Sequence, residues 1–189
     1  VPMCGIAGVV LWNTPSSPDA CGAVQIMSRV LAHRGPDGDG TWCDARATLI
    51  HRRLSIIDPG PGGHQPMVTP DGRYVLVFNG EVYNYRALRA TLAAAGVQFT
   101  SQSDTEVLLQ MLAHRGPAAL DEVRGMFALA LWDRGACRLE GALFARACPD
   151  RHECRSGVRH DRLDVGEVDV DDARDRDQVR DAGDPLAQD

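Results

Sequence analysis

The chain has 189 residues, of which 44% are hydrophobic and 24% charged, and this balance is typical of one globular domain with a real core. Its formal net charge of −6 disfavours a nucleic-acid surface, which needs clustered positive charge. No apolar run approaches the roughly 20 residues of a transmembrane helix, and the first residues do not resemble a secretory signal. We therefore expect no nucleic-acid partner, no membrane partner and a cytoplasmic location.

In the first half of the chain, the pattern predicts strands over residues 5–11, 49–57 and 74–78, the last ending at Asn79-Gly80. A helix is expected to open at Ser17 and to carry an apolar stripe. Residues 33–40 and 58–63 are rich in Gly, Pro and Asp, and we predict loops there.

The second half predicts a helix over residues 85–95, with Asn84 as its cap and Gly96 just beyond its end. Ser103 and Glu106 have the spacing of a capping box in front of a second helix, which Gly116 ends. Residues 126–132 predict the last strong strand. Because these strands and helices all carry apolar faces that need covering, a layered α/β or α+β domain is expected.

Residues 146–189 differ in composition from the rest of the chain. Beyond Phe144 there is no Phe, Tyr, Trp, Ile or Met, while Asp and Arg multiply. Such a segment cannot bury enough apolar surface to offset its ordering entropy, so we predict a disordered tail. Its composition also resembles DNA rich in G and C that is read out of frame, and a frameshift is our preferred hypothesis over a divergent acidic tail.

The six Cys form no short paired motif, and we predict neither disulfides nor a metal site. Four potential zinc ligands in the tail alternate without a C-x2-C or H-x3-H unit, namely Cys148, His152, Cys154 and His160. A redox or metal protein is therefore a minor alternative.

Cys4 directly follows Met3 near the start of the chain. If translation begins at Met3 and that Met is removed, Cys4 carries both a thiol and a free α-amine that can act as its base. The competing interpretation is a small buried Cys at the start of a strand, and this motif alone favours it.

Three further groups could carry chemistry, and each also has an ordinary structural explanation. Arg53 could grip a carboxylate with two parallel hydrogen bonds, or form a surface ion pair. Asn79 and the Gly80 N–H could stabilise an oxyanion and Glu81 could bind a cation, although Asn-Gly is also a common hairpin turn. Asp104 could bind a cation or simply cap a helix.

Six motifs in one order decide between these interpretations: CGIAG, HRGPDG, RLSIID, NGEVYNY, SDTE and GMFALALWD. In this order and at these spacings, from Met3 to about Trp132, they resemble the glutaminase domain of class II glutamine amidotransferases. RLSIID and NGEVYNY resemble the asparagine synthetase branch in particular.

The resemblance implies an α+β fold over residues 3–145. This is the N-terminal-nucleophile αββα sandwich of two stacked, mainly antiparallel sheets, and we expect it to be incomplete at its C-terminal end. The implied reaction is hydrolysis of L-glutamine to glutamate and ammonia through a thioester. No cofactor is implied for that reaction, whereas ATP and Mg²⁺ would serve a synthetase domain that is missing here.

By position, Cys4 would be the nucleophile, with Asn79 and the Gly80 N–H as the oxyanion hole. Arg53 would hold the substrate carboxylate, while Glu81 and Asp104 would take its ammonium group. The main chain of four further residues would line the substrate, and these are Leu54, Ser55, Ile56 and Ile57.

Two departures from the family keep a second interpretation open. Val1, Pro2 and Met3 precede Cys4, and if they stay, the base becomes an amide nitrogen that cannot take a proton. The alternative is then a truncated, non-catalytic domain that binds glutamine or another protein. Missing closing strands would leave a sheet edge open to association, so a homodimer is compatible with the sequence.

Overall fold

Two antiparallel sheets make up the centre of the molecule. The computed structural model describes residues 4–11, 18–54 and 60–145. The strands are β1 Gly5–Val10, β2 Gly38–Cys43, β3 Ala47–Arg53, β4 Met67–Val68, β5 Tyr74–Val82, β6 Gly125–Asp133 and β7 Arg138–Ala145. The helices are α1 Pro18–Val30, α2 Tyr85–Ala94 and α3 Asp104–Arg115, with 3-10 turns at Leu31–His33, Pro61–Gly63 and Pro117–Glu122.

The sheets have strand orders β1-β3-β2 and β4-β5-β6-β7, and every pairing is antiparallel. Between the sheets lies an apolar layer of Ala47, Leu49, Val75, Val77 and Trp132. The opposite face of the second sheet packs with α2 and α3 around a larger core, while α1 contacts β3. This layering confirms the predicted α+β sandwich of two antiparallel sheets. Among the described residues, no helix is long and apolar enough to cross a membrane.

Strand β5 is longer than the sequence indicated. We expected it to end at Asn79-Gly80, but it continues to Val82, because β6 supplies a partner for each residue as far as Gly125. The Asn-Gly pair is therefore part of a strand and not a hairpin turn. Gly80 has φ +148°, and a Cβ there would collide with the Met126 carbonyl oxygen.

Strand β2 was missed, since residues 38–40 were assigned to a loop. Gly38 pairs with Arg53 and Gly40 pairs with His51. A Cβ at Gly40 would collide with the Gln65 carbonyl oxygen, so glycine here allows close packing and does not mark a turn. Strand β3 ends at Arg53, before the predicted residue 57, and residues 55–59 lie outside the described part of the chain.

The predicted cap of α2 is wrong in its chemistry. The Asn84 side chain makes no cap hydrogen bond; it donates to the Glu122 carbonyl oxygen and accepts from the Arg124 N–H. Gly96, beyond the end of α2, has φ +92°, as expected of a helix terminator. Asn84 therefore ties the start of α2 to the segment in front of β6.

The predicted capping box of α3 is half correct. Ser103 accepts a hydrogen bond from the Thr105 N–H, as an N-cap should. Glu106 does not reach back to Ser103, because its carboxylate accepts from the main chain and hydroxyls of Thr100 and Ser101. Glu106 thus fixes the loop that leads into the helix.

Strand β7 follows the strand that we predicted to be the last strong one. It pairs with β6 from Asp133–Arg138 through Met126–Ala145. The predicted tail, residues 146–189, lies outside the described residues.

Candidate active site

A cavity of about 220 Å³ opens where β3, β5 and the start of α3 come together. Seven of the predicted site residues line it, namely Cys4, Arg53, Leu54, Asn79, Gly80, Glu81 and Asp104. Ser55, Ile56 and Ile57 lie outside the described residues, so their predicted contact with substrate stays a prediction.

Cys4 is the residue in front of β1, and the pairing of β1 with β3 brings it to the end of β3. Gly5 pairs with Arg52. The same antiparallel register places Cys4 opposite Arg53 and therefore next to Leu54. The Leu54 N–H donates to the Cys4 Sγ at 3.2 Å, and the Sγ lies 3.5 Å from the Leu54 carbonyl oxygen. The main chain of Leu54 therefore holds the Cys4 thiol in place at the end of β3.

Arg34 binds the main chain of Cys4, a contact that we did not predict. Its Nε donates to the Cys4 carbonyl oxygen at 3.1 Å. The next residue, Gly35, packs so closely on β3 that a Cβ would collide with the Arg52 main chain. The HRGPDG motif was interpreted as a loop, and this contact between residues 30 positions apart shows that it also restrains the main chain of Cys4.

Arg53 is the last residue of β3 and lies on the strand face that meets the second sheet, as Leu49 does. Its Nη1 donates to the Gly60 carbonyl oxygen at 3.0 Å, which restrains the guanidinium at the cavity wall. A restrained, half-buried guanidinium suits a carboxylate ligand.

The Gly80 N–H lies at the edge of β5 that faces away from β6. In an antiparallel strand the N–H groups alternate between the two edges, so Phe78, Gly80 and Val82 point theirs to the same side. The Phe78 N–H donates to the Gln65 Oε1 at 2.6 Å, and the Val82 N–H donates to the Asp104 Oδ2 at 3.0 Å. By the same alternation, the Gly80 N–H between them points away from β6, and Gly80 is one of the residues that line the cavity.

Asp104 is the first residue of α3 and is only 4% exposed. Burial raises the pKa of its carboxyl group, and the nearby Glu81 carboxylate raises it further, while hydrogen bonds from the Val82 and Thr105 main chain act against that shift. A buried carboxylate beside a second one is well placed to attract an ammonium group.

His51 and Gln65 also line the cavity, although neither was predicted. Burial, with smaller effects of Arg53 and His64, lowers the pKa of His51 to about 4, against an opposing backbone interaction with Phe78. His51 is therefore neutral at pH 7, and its Nε2 has no hydrogen-bond partner in the described part of the chain.

Residues 4–11, 18–54 and 60–145 contain no cluster of side chains with metal-binding geometry. Nowhere in these ranges do three or more His, Cys, Asp or Glu side chains gather in a group that could hold a metal ion. The four zinc candidates of the tail fall outside these ranges.

Residues 3–145 match the family described as the glutamine amidotransferase domain. The chain belongs to this family. Asparagine synthetase 1 (glutamine-hydrolysing) of Bacillus subtilis strain 168 is 42% identical over 141 residues, covering 74% of this chain and 22% of the relative. Asparagine synthetase B (glutamine-hydrolysing) of Escherichia coli strain K12 is 42% identical over 131 residues, covering 69% of this chain and 23% of the relative. The amidotransferase domain is thus homologous to less than a quarter of the length of each of these enzymes.

A solved structure has the same fold. Glutamine phosphoribosylpyrophosphate amidotransferase from B. subtilis superimposes with a TM-score of 0.55 at 20% identity, over 75% of this chain and 37% of the other. The sheet arrangement of the amidotransferase domain is therefore that of the N-terminal-nucleophile fold.

Proposed function

We propose that this domain hydrolyses L-glutamine to glutamate and ammonia, with Cys4 as the nucleophile. The observation that carries the proposal is the single cavity that the Cys4 thiol shares with one guanidinium, two carboxylates and the free edge of β5. The guanidinium and the two carboxylates match the opposite charges of a zwitterionic amino acid, and the thiol and the Gly80 N–H match its side-chain amide.

In the proposed reaction, Arg53 holds the substrate α-carboxylate, and Glu81 and Asp104 hold the α-ammonium group. The Cys4 Sγ attacks the side-chain carbonyl carbon, and Asn79 with the Gly80 N–H stabilises the oxyanion. The Cys4 α-amine takes the thiol proton and returns it to the leaving nitrogen. Ammonia departs, a thioester remains, and water then hydrolyses it to glutamate and the free thiol.

We further propose that the ammonia serves an asparagine-synthetase-type reaction. The support is the similarity to glutamine-hydrolysing asparagine synthetases, of which this chain spans 22% and 23% in the two relatives described. The acceptor would be activated by a synthetase domain, with ATP and Mg²⁺ acting there and no cofactor acting in glutamine hydrolysis. L-Glutamine would be the substrate of the present domain.

Two forms of the chain test the proposal. One begins at Cys4, verified by mass, and the other retains Val1, Pro2 and Met3. We expect the first to release glutamate and ammonia in equal amounts, and the second to be inactive because its residue 4 has no free amine. If the form that begins at Cys4 releases no glutamate, the proposal is wrong, and the non-catalytic alternative gains support if that form still binds glutamine.

A further inference from the structure

Gln65 lies where β5 loses its neighbouring strand. Strand β4 covers β5 only at Leu76 and Val75. The same register would place Gln65 opposite Phe78, but there the main chain of Gln65 turns toward Gly40 and forms no strand. At the edge of β5 that contains Phe78, Gly80 and Val82, side chains therefore replace a neighbouring strand as hydrogen-bond partners of the main chain.

The Gln65 carboxamide bridges two elements of the site. Its Oε1 accepts from the Phe78 N–H at 2.6 Å, and its Nε2 donates to the Thr105 Oγ1 at 3.2 Å. Gln65 is 5% exposed and Thr105 is 3% exposed, so no water replaces either bond at low cost. Phe78 immediately precedes Asn79, and Thr105 immediately follows Asp104.

The two ends of this bridge coincide with the two halves of the glutamine site. Strand β5 carries the proposed oxyanion donors, and α3 carries the proposed ammonium acceptor. The Asp104 carboxylate makes a second bond between the same elements at Val82, so the Gly80 N–H lies between two fixed points. A shift of β5 relative to α3 would move the donors away from the amide end of the substrate.

We propose that Gln65 is a positioning residue of the glutamine site, which holds the Asn79–Gly80 edge of β5 in register with the start of α3. Gln65 acts through its neighbours and takes no part in bond making. The inference rests on the proposed glutaminase function, and it adds a residue that acts from outside the set assigned to the substrate.

A matched control exists at the other end of the same strand. Thr69 is buried and its Oγ1 accepts from the Tyr74 N–H at 3.0 Å, so it too satisfies an N–H of β5 with a side-chain oxygen. Thr69 does not line the cavity of the site. Thr69→Val therefore removes a part-buried bond to a β5 N–H, together with the Thr69 hydroxyl bond to Asp71, at a position that does not line the cavity.

Steady-state glutaminase kinetics on the chain that begins at Cys4 test the inference. We expect Gln65→Met to lower kcat at least tenfold, because the oxyanion donors lose their register. Thr105→Val removes only the hydrogen bond between Gln65 and α3, and it should raise the KM for glutamine several-fold. Thr105→Ser keeps the hydroxyl and should therefore have the KM of the parent. Thr69→Val should change neither parameter by more than about twofold.

The inference is overturned if Gln65→Met keeps the parent kcat while its melting temperature falls as that of Thr69→Val does. Should Gln65→Met fail to fold, the pair Thr105→Val and Thr105→Ser decides the matter, and an unchanged KM in Thr105→Val overturns it. A parent chain without glutaminase activity would instead show the proposed function itself to be wrong, so the two failures are distinguishable.

Discussion

At the scale of single residues, the site depends on side chains whose geometry is fixed by the main chain around them. Arg53 is restrained by Gly60, Cys4 by Leu54 and Arg34, and Asp104 by Val82. Groups held in this way lose little freedom when a substrate binds. These charged groups are therefore held in place before binding, as the proposed zwitterionic substrate requires.

Arg53→Lys should weaken glutamine recognition more than it slows the reaction. A lysine carries the charge but cannot present two parallel N–H groups to a carboxylate, so we expect the KM to rise roughly tenfold with kcat little changed. Arg73→Lys is the control, because Arg73 makes a bidentate pair with Asp133 and neither residue lines the cavity. Equal KM values for Arg53→Lys and the parent would show that Arg53 does not hold the carboxylate.

His51 should make the stability of the domain depend on pH. In the folded state it stays neutral down to about pH 4, whereas an unfolded histidine takes up a proton below about pH 6.5. Between these pH values the unfolded state therefore binds more protons than the folded state. The contribution of His51 to the free energy of unfolding is greatest above about pH 6.5 and decreases as the pH falls.

Urea unfolding at pH 7.5 and pH 5 measures this effect in the parent and in His51→Gln. The parent should lose about 2 kcal/mol more than the variant over this interval. Identical pH dependence in the two proteins would contradict a buried, neutral His51.

At the scale of elements, the sequence predicted the helices and strands that neighbouring residues determine, and it missed those that depend on partners distant in the chain. α3 was found because its cap and apolar stripe are adjacent in sequence. The extension of β5 through Asn79-Gly80 was missed, since the turn preference of that dipeptide is overridden by pairing with β6, nearly fifty residues away. β2 was missed for a similar reason, because Gly40 is needed for close packing against the main chain of Gln65, which is distant in sequence, and not for a turn.

The same distinction applies to the candidate site. The resemblance in sequence named Cys4, Arg53, Asn79 and Asp104, and the structure brings these residues to one cavity. Arg34 and Gln65 escaped notice, because their contacts join a side chain to a main-chain group 30 and 13 residues away. No local pattern of residue types encodes such a contact.

A pair of glycine substitutions tests the extended form of β5. Gly96 has φ +92° but open space around a built Cβ, so Gly96→Ala should cost about 1 kcal/mol of unfolding free energy. Gly80→Ala adds a collision with β6 to a similar backbone penalty, and should cost roughly 3 kcal/mol or more. Chemical unfolding of both variants provides the comparison, and equal losses would contradict the close packing of β5 on β6 at Gly80.

At the scale of the whole molecule, the site forms where the ends of the two sheets meet. β1 brings Cys4 to the end of β3, while β5 and α3 supply the groups opposite. Neither sheet contains a complete site, so the proposed reaction would depend on the packing of one sheet on the other. The apolar layer of Leu49, Val77 and Trp132 therefore supports the chemistry as well as the fold.

Residues 146–189 should contribute little to this packing, given that they contain no aromatic residue, Ile or Met. A chain that ends at Ala145 should melt within about 2 °C of the full chain in a thermal scan. A much larger fall in melting temperature would show that the tail contributes to the core.

In the proposed reaction, the Cys4 thiol carries out the chemistry and contributes little to recognition. Glutamate release and glutamine binding, measured by calorimetry, should be compared in the chain that begins at residue 4 and in its Cys4→Ala variant. We predict that hydrolysis falls to background while the Kd for glutamine stays within about threefold of the parent, because Arg53, Glu81 and Asp104 remain in place. Hydrolysis by Cys4→Ala at the parent rate would contradict the nucleophile and, with it, the function proposed for this domain.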